Sequence, residues 1–292
     1  MMMSANLRRS RAGIYQNGKL NMKRKLINLA TKFKNHLRIS VNEIQVNFDT
    51  RHYISKNWFY PRYFGGRPHE PCISRLFCDE IEKDYVVFDI GANQGYFTVL
   101  SSQLLDSRGA VHAFELDPVL IPLAQSSLKL NSYECSVYFI QCAVSDKDGD
   151  LLSFIPHIDG NPTTNSILYE NNSNTKTISQ TISIDSYCRR LSIAPDFIKL
   201  DVEGAERLAL VGLEETIKRC KPKLLLEIHP KQLREAKVDV ESVAKLLMRW
   251  TPDYNVYLVE DYREEKDNYL KEISLTEITY GERPVVLYFR VD

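Results

Sequence analysis

From residue 85 onward, short apolar runs alternate with helical patterns, and this alternation leaves few folds open to the chain. The strand-like runs are YVVFDI (85–90), AVHAFEL (110–116), SVYFIQCAV (136–144), DFIKLD (196–201), KLLLEIH (223–229), NVYLVE (255–260) and PVVLYFR (284–290). Helical patterns fall near 96–106, 118–131, 205–219 and 231–250. Apolar strands separated by helices require a mostly parallel sheet covered on both faces, a doubly wound α/β architecture. The last two runs have no helical pattern between them, so they are expected to pair antiparallel at one edge. Between the third and fourth runs lies an interruption, 150–184, with two short β-like pieces, LLSFIP and TKTISQTISI, around a polar loop. It reads as a hairpin insertion beside the site.

Ahead of this α/β region the chain divides into a basic leader, 1–40, and an extension, 41–84. The leader holds ten of the chain's 38 Lys and Arg residues and no acid, so the remainder carries 28 basic against 38 acidic residues, a net of −10. In KRKLINLATKFKNHLR, Leu26, Leu29, Ala30, Phe33 and Leu37 share one helical face with cations elsewhere. That pattern fits an interfacial helix making peripheral membrane contact, an organelle transit peptide, or a tail packed on the acidic body. Residues 41–70 read as irregular and aromatic-rich, either a cap on the substrate side or a packed extension, with a short helix near 72–83. No stretch approaches the ~20 apolar residues of a membrane span.

An acidic body argues against nucleic acid as the substrate, because phosphate binding rests on clustered basic charge. The six cysteines form no C-x-x-C pair and no zinc-ligand spacing, and are read as reduced thiols of a cytoplasmic protein. The sequon at Asn171 reads as a chance match in a polar loop.

The first run leads into a glycine turn, VVFDIGANQGYFTVL, which joins strand to helix. A dinucleotide fingerprint starting at Gly91 needs glycines at 93 and 96, where this chain has Asn93 and Tyr96. A phosphate-binding loop needs a following Gly-Lys-Ser/Thr, which is missing. A carboxylate at Asp89 opposes a pyrophosphate but suits a ligand carrying an ammonium group, as S-adenosylmethionine does. Glu115 ends the second strand 24 residues after Gly91 and is suited to accept both hydroxyls of a ribose. Its competing role is that of a charge at the start of the next helix.

The segments VVFDIGANQGYFT, HAFELDP, CAVSD, ISIDSY, DFIKLDVEGAE and PKLLLEIHP, in that order, resemble the FkbM-type methyltransferases over roughly 85–230. The resemblance implies a class I, Rossmann-like domain over 85–292, with a seven-stranded sheet and a reversed last strand. It also implies S-adenosylmethionine as cofactor and O-methylation of a small-molecule, sugar or lipid-linked acceptor. By the same resemblance Asp89, Gly91, Asn93 and Gly95 hold the methionine part, with Tyr96 and Phe97 following. Glu115 takes the ribose, Leu116 lies against adenine, and Cys142, Ala143 and Val144 close the adenine side. N-methylation and a non-catalytic adenosine-binding module stay open as alternatives. A nucleic-acid enzyme would carry Asn/Asp-Pro-Pro-Tyr/Phe where this chain has Asp201-Val202-Glu203-Gly204.

Period-two alternation in the fourth run puts Phe197, Lys199 and Asp201 on one face. A lysine inside a central parallel strand needs a partner, and Glu227 on the next strand is the candidate. Asp201, Glu203, Glu227 and His229 gather at strand carboxyl ends, where α/β sheets bind ligands. Asp201 and His229 are the candidate bases for a hydroxyl acceptor, with Glu203 beside them. An Asp201–Glu227–His229 metal site is chemically possible, though the family resemblance does not require one. Glu206 reads as a charge serving its helix dipole, and Asn131 as the cap ending its helix.

Overall fold

The computed structural model describes residues 34–63, 65–154 and 177–291. Among the described residues eight strands form the main sheet: β3 (Val86–Ile90), β4 (Ala110–Glu115), β5 (Ser136–Gln141), β9 (Phe197–Leu200), β10 (Lys223–Ile228), β11 (Asn255–Val259), β12 (Leu270–Glu272) and β13 (Val285–Arg290). Their order is β12-β11-β13-β10-β9-β3-β4-β5. Neighbours from β10 through β5 pair parallel, and β13 runs antiparallel to both β10 and β11. This is the doubly wound sheet with a reversed last strand. The three-residue β12 extends it by one strand at the edge, and β13 inserts between β10 and β11 rather than lying outermost.

Burial follows position in the sheet. The central strands β9 and β10 are buried along almost their whole length, whereas the edge strand β5 is exposed or half-exposed throughout. Alternation divides the core into two layers. Val87, Val111, Phe197 and Leu225 pack on one face, while Phe88, Phe114, Ile198 and Leu226 pack on the other. Along the chain β3 leads to β4 and β5 in one direction, and the sheet then resumes on the other side of β3 with β9 and β10. The carboxyl ends of β3 and β9 therefore flank the topological switch point, where open α/β sheets form their ligand crevice.

The extension is more ordered than its sequence suggests. A hairpin of β1 (His36–Val41), built mostly from the end of the leader, and β2 (Ile44–Asp49) is followed by α1 (Tyr53–Tyr63) and α2 (Pro71–Glu80). Leu37, expected on a helical face, lies in β1, where it alternates with exposed neighbours and is buried together with Ile39 and Val41. The remainder of that expected helix, including Leu26, Leu29, Ala30 and Phe33, lies outside the described residues, as do residues 155–176. On either side of those residues β7 (Leu151–Phe154) and β8 (Thr177–Ile182) pair antiparallel, and β8 also pairs with β6 (Ala143–Val144).

Helices α3 (Tyr96–Leu104), α4 (Leu120–Leu128) and α5 (Ile184–Leu191) connect the strands, and two of the longer helical patterns are split. The pattern near 205–219 becomes α6 (Glu206–Val211) and α7 (Glu214–Cys220). The break falls at Gly212, where a Cβ would lie 1.9 Å from the Ser145 carbonyl oxygen. The pattern near 231–250 becomes α8 (Pro230–Glu235) and α9 (Val240–Trp250), the second opened by the Asp239 side chain accepting from the Glu241 N–H. Asn131 caps α4 by donating to the Ser127 carbonyl at 2.8 Å, and it also pairs with the Asn47 backbone, docking the hairpin. Among the described residues no helix is long and apolar enough to cross a membrane. All six cysteines are free thiols.

Candidate active site

The turn after β3 is held from two sides. The N–H groups of Gly91 and Ala92 both donate to the Phe114 carbonyl, at 2.9 and 3.0 Å, and the Asn93 N–H donates to Glu115 Oε2 at 2.7 Å. Gly91, Asn93 and Gly95 have φ of 82°, 53° and 77°, the left-handed region that glycine enters without cost and asparagine tolerates. At Gly91 the requirement is also steric, because a Cβ there would lie 1.8 Å from the Asp201 carbonyl oxygen. Gly91→Ala is therefore expected to lower stability by roughly 1–3 kcal/mol from backbone strain alone, and to displace the Asp201 backbone. Thermal melting of the variant together with its ligand affinity checks this, and an unchanged melting temperature would contradict it.

Two adjoining cavities open at the switch point. The crevice beside the turn is lined by Gly91, Asn93, Glu115 and Leu116, and by Cys142, Ala143 and Val144 where β5 gives way to β6. These seven of the predicted cofactor residues come together. The other four do not line it. Asp89 lies beneath the turn, 1% exposed, where Thr98 Oγ1 donates to its Oδ2 at 2.6 Å; among the described residues its Oδ1 has no hydrogen-bond partner. Gly95 is packed against α4, with a Cβ position 2.6 Å from the Ala124 Cβ. Tyr96 and Phe97 turn toward the extension, where Tyr96 stacks on Phe48 and Phe97 packs on Phe77, and both line the second cavity. Their position one helical step beyond the turn carries them past the crevice.

Glu115 accepts from the backbone N–H groups of Asn93 and Asp117, one on each oxygen. A carboxylate has further lone pairs to offer beyond these two. Burial lifts its carboxyl to about 7, against the two backbone donors that favour the ionised form.

The second cavity, of about 390 Å³, lies between the sheet and the extension. Trp58, Arg62, Tyr63 and His69 enter from the extension, Arg263 from the segment after β11, and Lys199, Glu227 and His229 from the sheet. None of the five residues outside the sheet was singled out by motif. The aromatic run NWFYPRYF was the available signal, in a stretch read as either a cap on the substrate side or a packed extension. Gly91, Asn93, Asp201 and Glu203 line both cavities.

At that common wall the charges are tightly organised. Lys199 Nζ donates to Asp201 Oδ2 at 3.0 Å and lies 5.2 Å from the centre of the Phe97 ring. The direct partner of Lys199 is thus Asp201, two residues along the same face, and not Glu227. Glu227 instead accepts from the Tyr262 hydroxyl at 3.0 Å. Burial alone would raise Asp201, but the Lys199 ammonium and His229 hold its carboxyl below the usual range. Glu203 is pushed up to about 7 by burial and by the charge of Asp201, and its backbone has φ of 50°. Glu206 is fully buried and has a role the helix dipole does not describe. Its Oε1 accepts from the Gly204 N–H at 2.9 Å and meets His229 Nδ1 at 2.7 Å. Burial opposes charge on His229, but this hydrogen bond and the surrounding carboxylates outweigh it and lift the imidazole to about 10. With Nδ1 held by Glu206, only Nε2 is left for the role of base expected of His229.

The methyltransferase FkbM domain matches residues 89–261, more than half of the chain. The chain belongs to the FkbM methyltransferase family. Among curated relatives it is 29% identical over 179 residues to the hexuronic acid methyltransferase AglP of Haloferax volcanii, covering 61% of this chain and 67% of that protein. It is 27% identical over 157 residues to the methyltransferase sdnD of Sordaria araneosa, covering 44% of this chain and 60% of that protein. The solved FkbM methyltransferase of Methylobacillus flagellatus superposes with a TM-score of 0.46 at 18% identity, over 76% of this chain and 48% of that one. The FkbM match begins at Asp89, beneath the turn, and ends at Asp261, so it spans both cavities' sheet residues and leaves out the hairpin, α1 and α2.

Proposed function

We propose that the protein transfers a methyl group from S-adenosylmethionine to a hydroxyl of a small, acidic, sugar-like acceptor. The observation that carries this reading is the wall common to the two cavities. In-line transfer needs donor and acceptor held end to end, and such alignment alone supplies roughly 7–11 kcal/mol of the barrier. A crevice meeting a 390 Å³ cavity at Asp201 and Glu203 meets that need.

The residues present fit the cofactor. Only a glycine at 91 leaves room for the crevice floor against Asp201, and Glu115, which lines the crevice, has lone pairs left for ribose hydroxyls. Bound there, S-adenosylmethionine supplies an electrophilic methyl carbon. Glu203 borders both cavities and is held in a left-handed backbone conformation that costs a non-glycine residue energy, a strain typical of functional positions. With cofactor and acceptor bound, Glu203 would take the acceptor hydroxyl proton while the sulfonium methyl group passes to that oxygen and S-adenosylhomocysteine leaves. Arg62, Arg67 and Arg263 line the acceptor cavity and favour an acidic substrate, in keeping with the hexuronic acid named for the relative AglP.

Binding and turnover test the reading. Calorimetry is expected to show S-adenosylhomocysteine binding and no NAD binding, and S-adenosylhomocysteine release is expected with uronic-acid glycosides. Binding of NAD in its place would overturn the cofactor assignment. Glu115→Ala is expected to weaken cofactor binding about ten- to a hundredfold, the loss of a charge-assisted hydrogen bond worth about 1.5–3 kcal/mol. Because the Glu115 carboxyl is lifted to about 7 and its ionised form accepts better, affinity should rise with pH. The gain between about pH 6 and about pH 8 should approach tenfold, and Glu115→Gln should flatten it. A Gln variant retaining the full pH response would remove Glu115 from the cofactor site.

A further inference from the structure

We propose that Asp201, Glu227 and His229 form a binding site for a divalent cation at the junction of the two cavities. One donor atom from each residue lies within 4.8 Å of the others. His229 Nε2 stands 3.6 Å from Glu227 Oε1, 3.8 Å from Asp201 Oδ1 and 3.9 Å from Glu203 Oε2. These distances are too long for hydrogen bonds. They match the separation of neighbouring ligands on one ion, since donors about 2.1–2.4 Å from a cation lie about 3–4 Å from each other.

The second observation is the setting of His229. Its side chain is only 4% exposed, and its Nδ1 is held by the Glu206 carboxylate at 2.7 Å. Such a carboxylate behind the ring fixes the tautomer and aims the other nitrogen, as is general for histidines that bind metals. Here that nitrogen faces three carboxylates without hydrogen-bonding any of them. The two oxygens of Asp201 are also divided, with Oδ2 engaged by Lys199 and Oδ1 nearest His229. The Lys199 ammonium therefore leaves one oxygen for an ion.

Charge favours an added cation. The favourable charge is local to the junction, where Asp201, Glu203 and Glu227 converge on His229 with Glu206 behind the ring, while Arg62, Arg67 and Arg263 line the acceptor side of the cavity. Carboxylates with a single imidazole and no thiolate suit Mn2+ or Mg2+. On the proposed methyltransferase reading, an ion held here would polarise the acceptor hydroxyl and lower its pKa. Ion binding itself needs neither cofactor nor acceptor.

The test uses the full chain, stripped with chelator, titrated with MnCl2 alone and followed by the paramagnetic resonance of hydrated Mn2+. One ion per chain is expected, displaced by excess MgCl2. Glu206→Gln, which removes the charge behind the ring and leaves all three ligating side chains in place, should weaken binding about 10–100-fold. Glu227→Gln and His229→Asn should weaken it at least as much, with circular dichroism showing that each variant folds. Folded wild-type protein that leaves the Mn2+ spectrum unchanged overturns the site, as does undiminished binding in folded Glu227→Gln and His229→Asn. S-adenosylhomocysteine affinity, measured on the stripped protein, reports separately on the methyltransferase reading.

Discussion

Glu203→Gln is expected to lower the single-turnover rate of methyl transfer about 10²–10⁴-fold, the usual contribution of a positioned base. Cofactor affinity should change much less, because Glu203 is one of several residues lining the crevice and Glu115 supplies its charged contact. The variant keeps side-chain length and its capacity to meet Gln232 Nε2, which the native carboxylate accepts at 3.1 Å, so the α8 contact is preserved. A rate within a few-fold of wild type would place the base elsewhere. An equal fall in cofactor affinity would instead assign Glu203 to the crevice alone.

Lys199→Met should be the most destabilising change near the site. Lys199 is buried at 4% exposure and its ammonium answers Asp201 directly, with Asp89 opposite it across β3 and β9. Burial works against its charge, but Asp201, Asp89, Glu70 and Glu227 together hold the proton on more firmly than in water. Removing one partner of a buried pair leaves the other uncompensated, at a cost of roughly 3–5 kcal/mol. For a chain of this size each kcal/mol moves the melting temperature by about 2–4 °C, so a fall of roughly 10 °C is expected. The double variant Lys199→Met/Asp201→Asn should recover part of the loss, whereas Lys199→Met/Glu227→Gln should recover less. If the Glu227 double variant recovers more, the pairing is the cross-strand one that the sequence pattern suggested.

Periodicity alone determined the doubly wound sheet, because strands buried on both faces must be apolar along their length and β9 and β10 announce themselves in that way. The left-handed turn was legible for a similarly local reason: Gly91 and Gly95 are spaced between a strand and a helix, and no other residue enters that backbone region as freely. Glu115 followed from its place at the end of the next strand. Short-range patterns also misled where two periods overlapped. The cationic helical stripe ran across Leu37, yet alternation along HLRISV and pairing with β2 decided for a strand. Side-chain partners lay beyond the reach of any such pattern. Alternation put Lys199 and Asp201 on one face without saying that they pair, and that Asp89 turns beneath the turn to Thr98 and that Glu206 fixes His229 depends on distances between elements. The acceptor cavity is the clearest case, since Trp58, His69, Lys199 and Arg263 are separated by more than two hundred residues of sequence and meet only when the extension closes over the sheet. The sequence determined which backbone would be built, because secondary structure answers to neighbours along the chain. The tertiary structure decided which charges meet, because burial and pairing answer to neighbours in space.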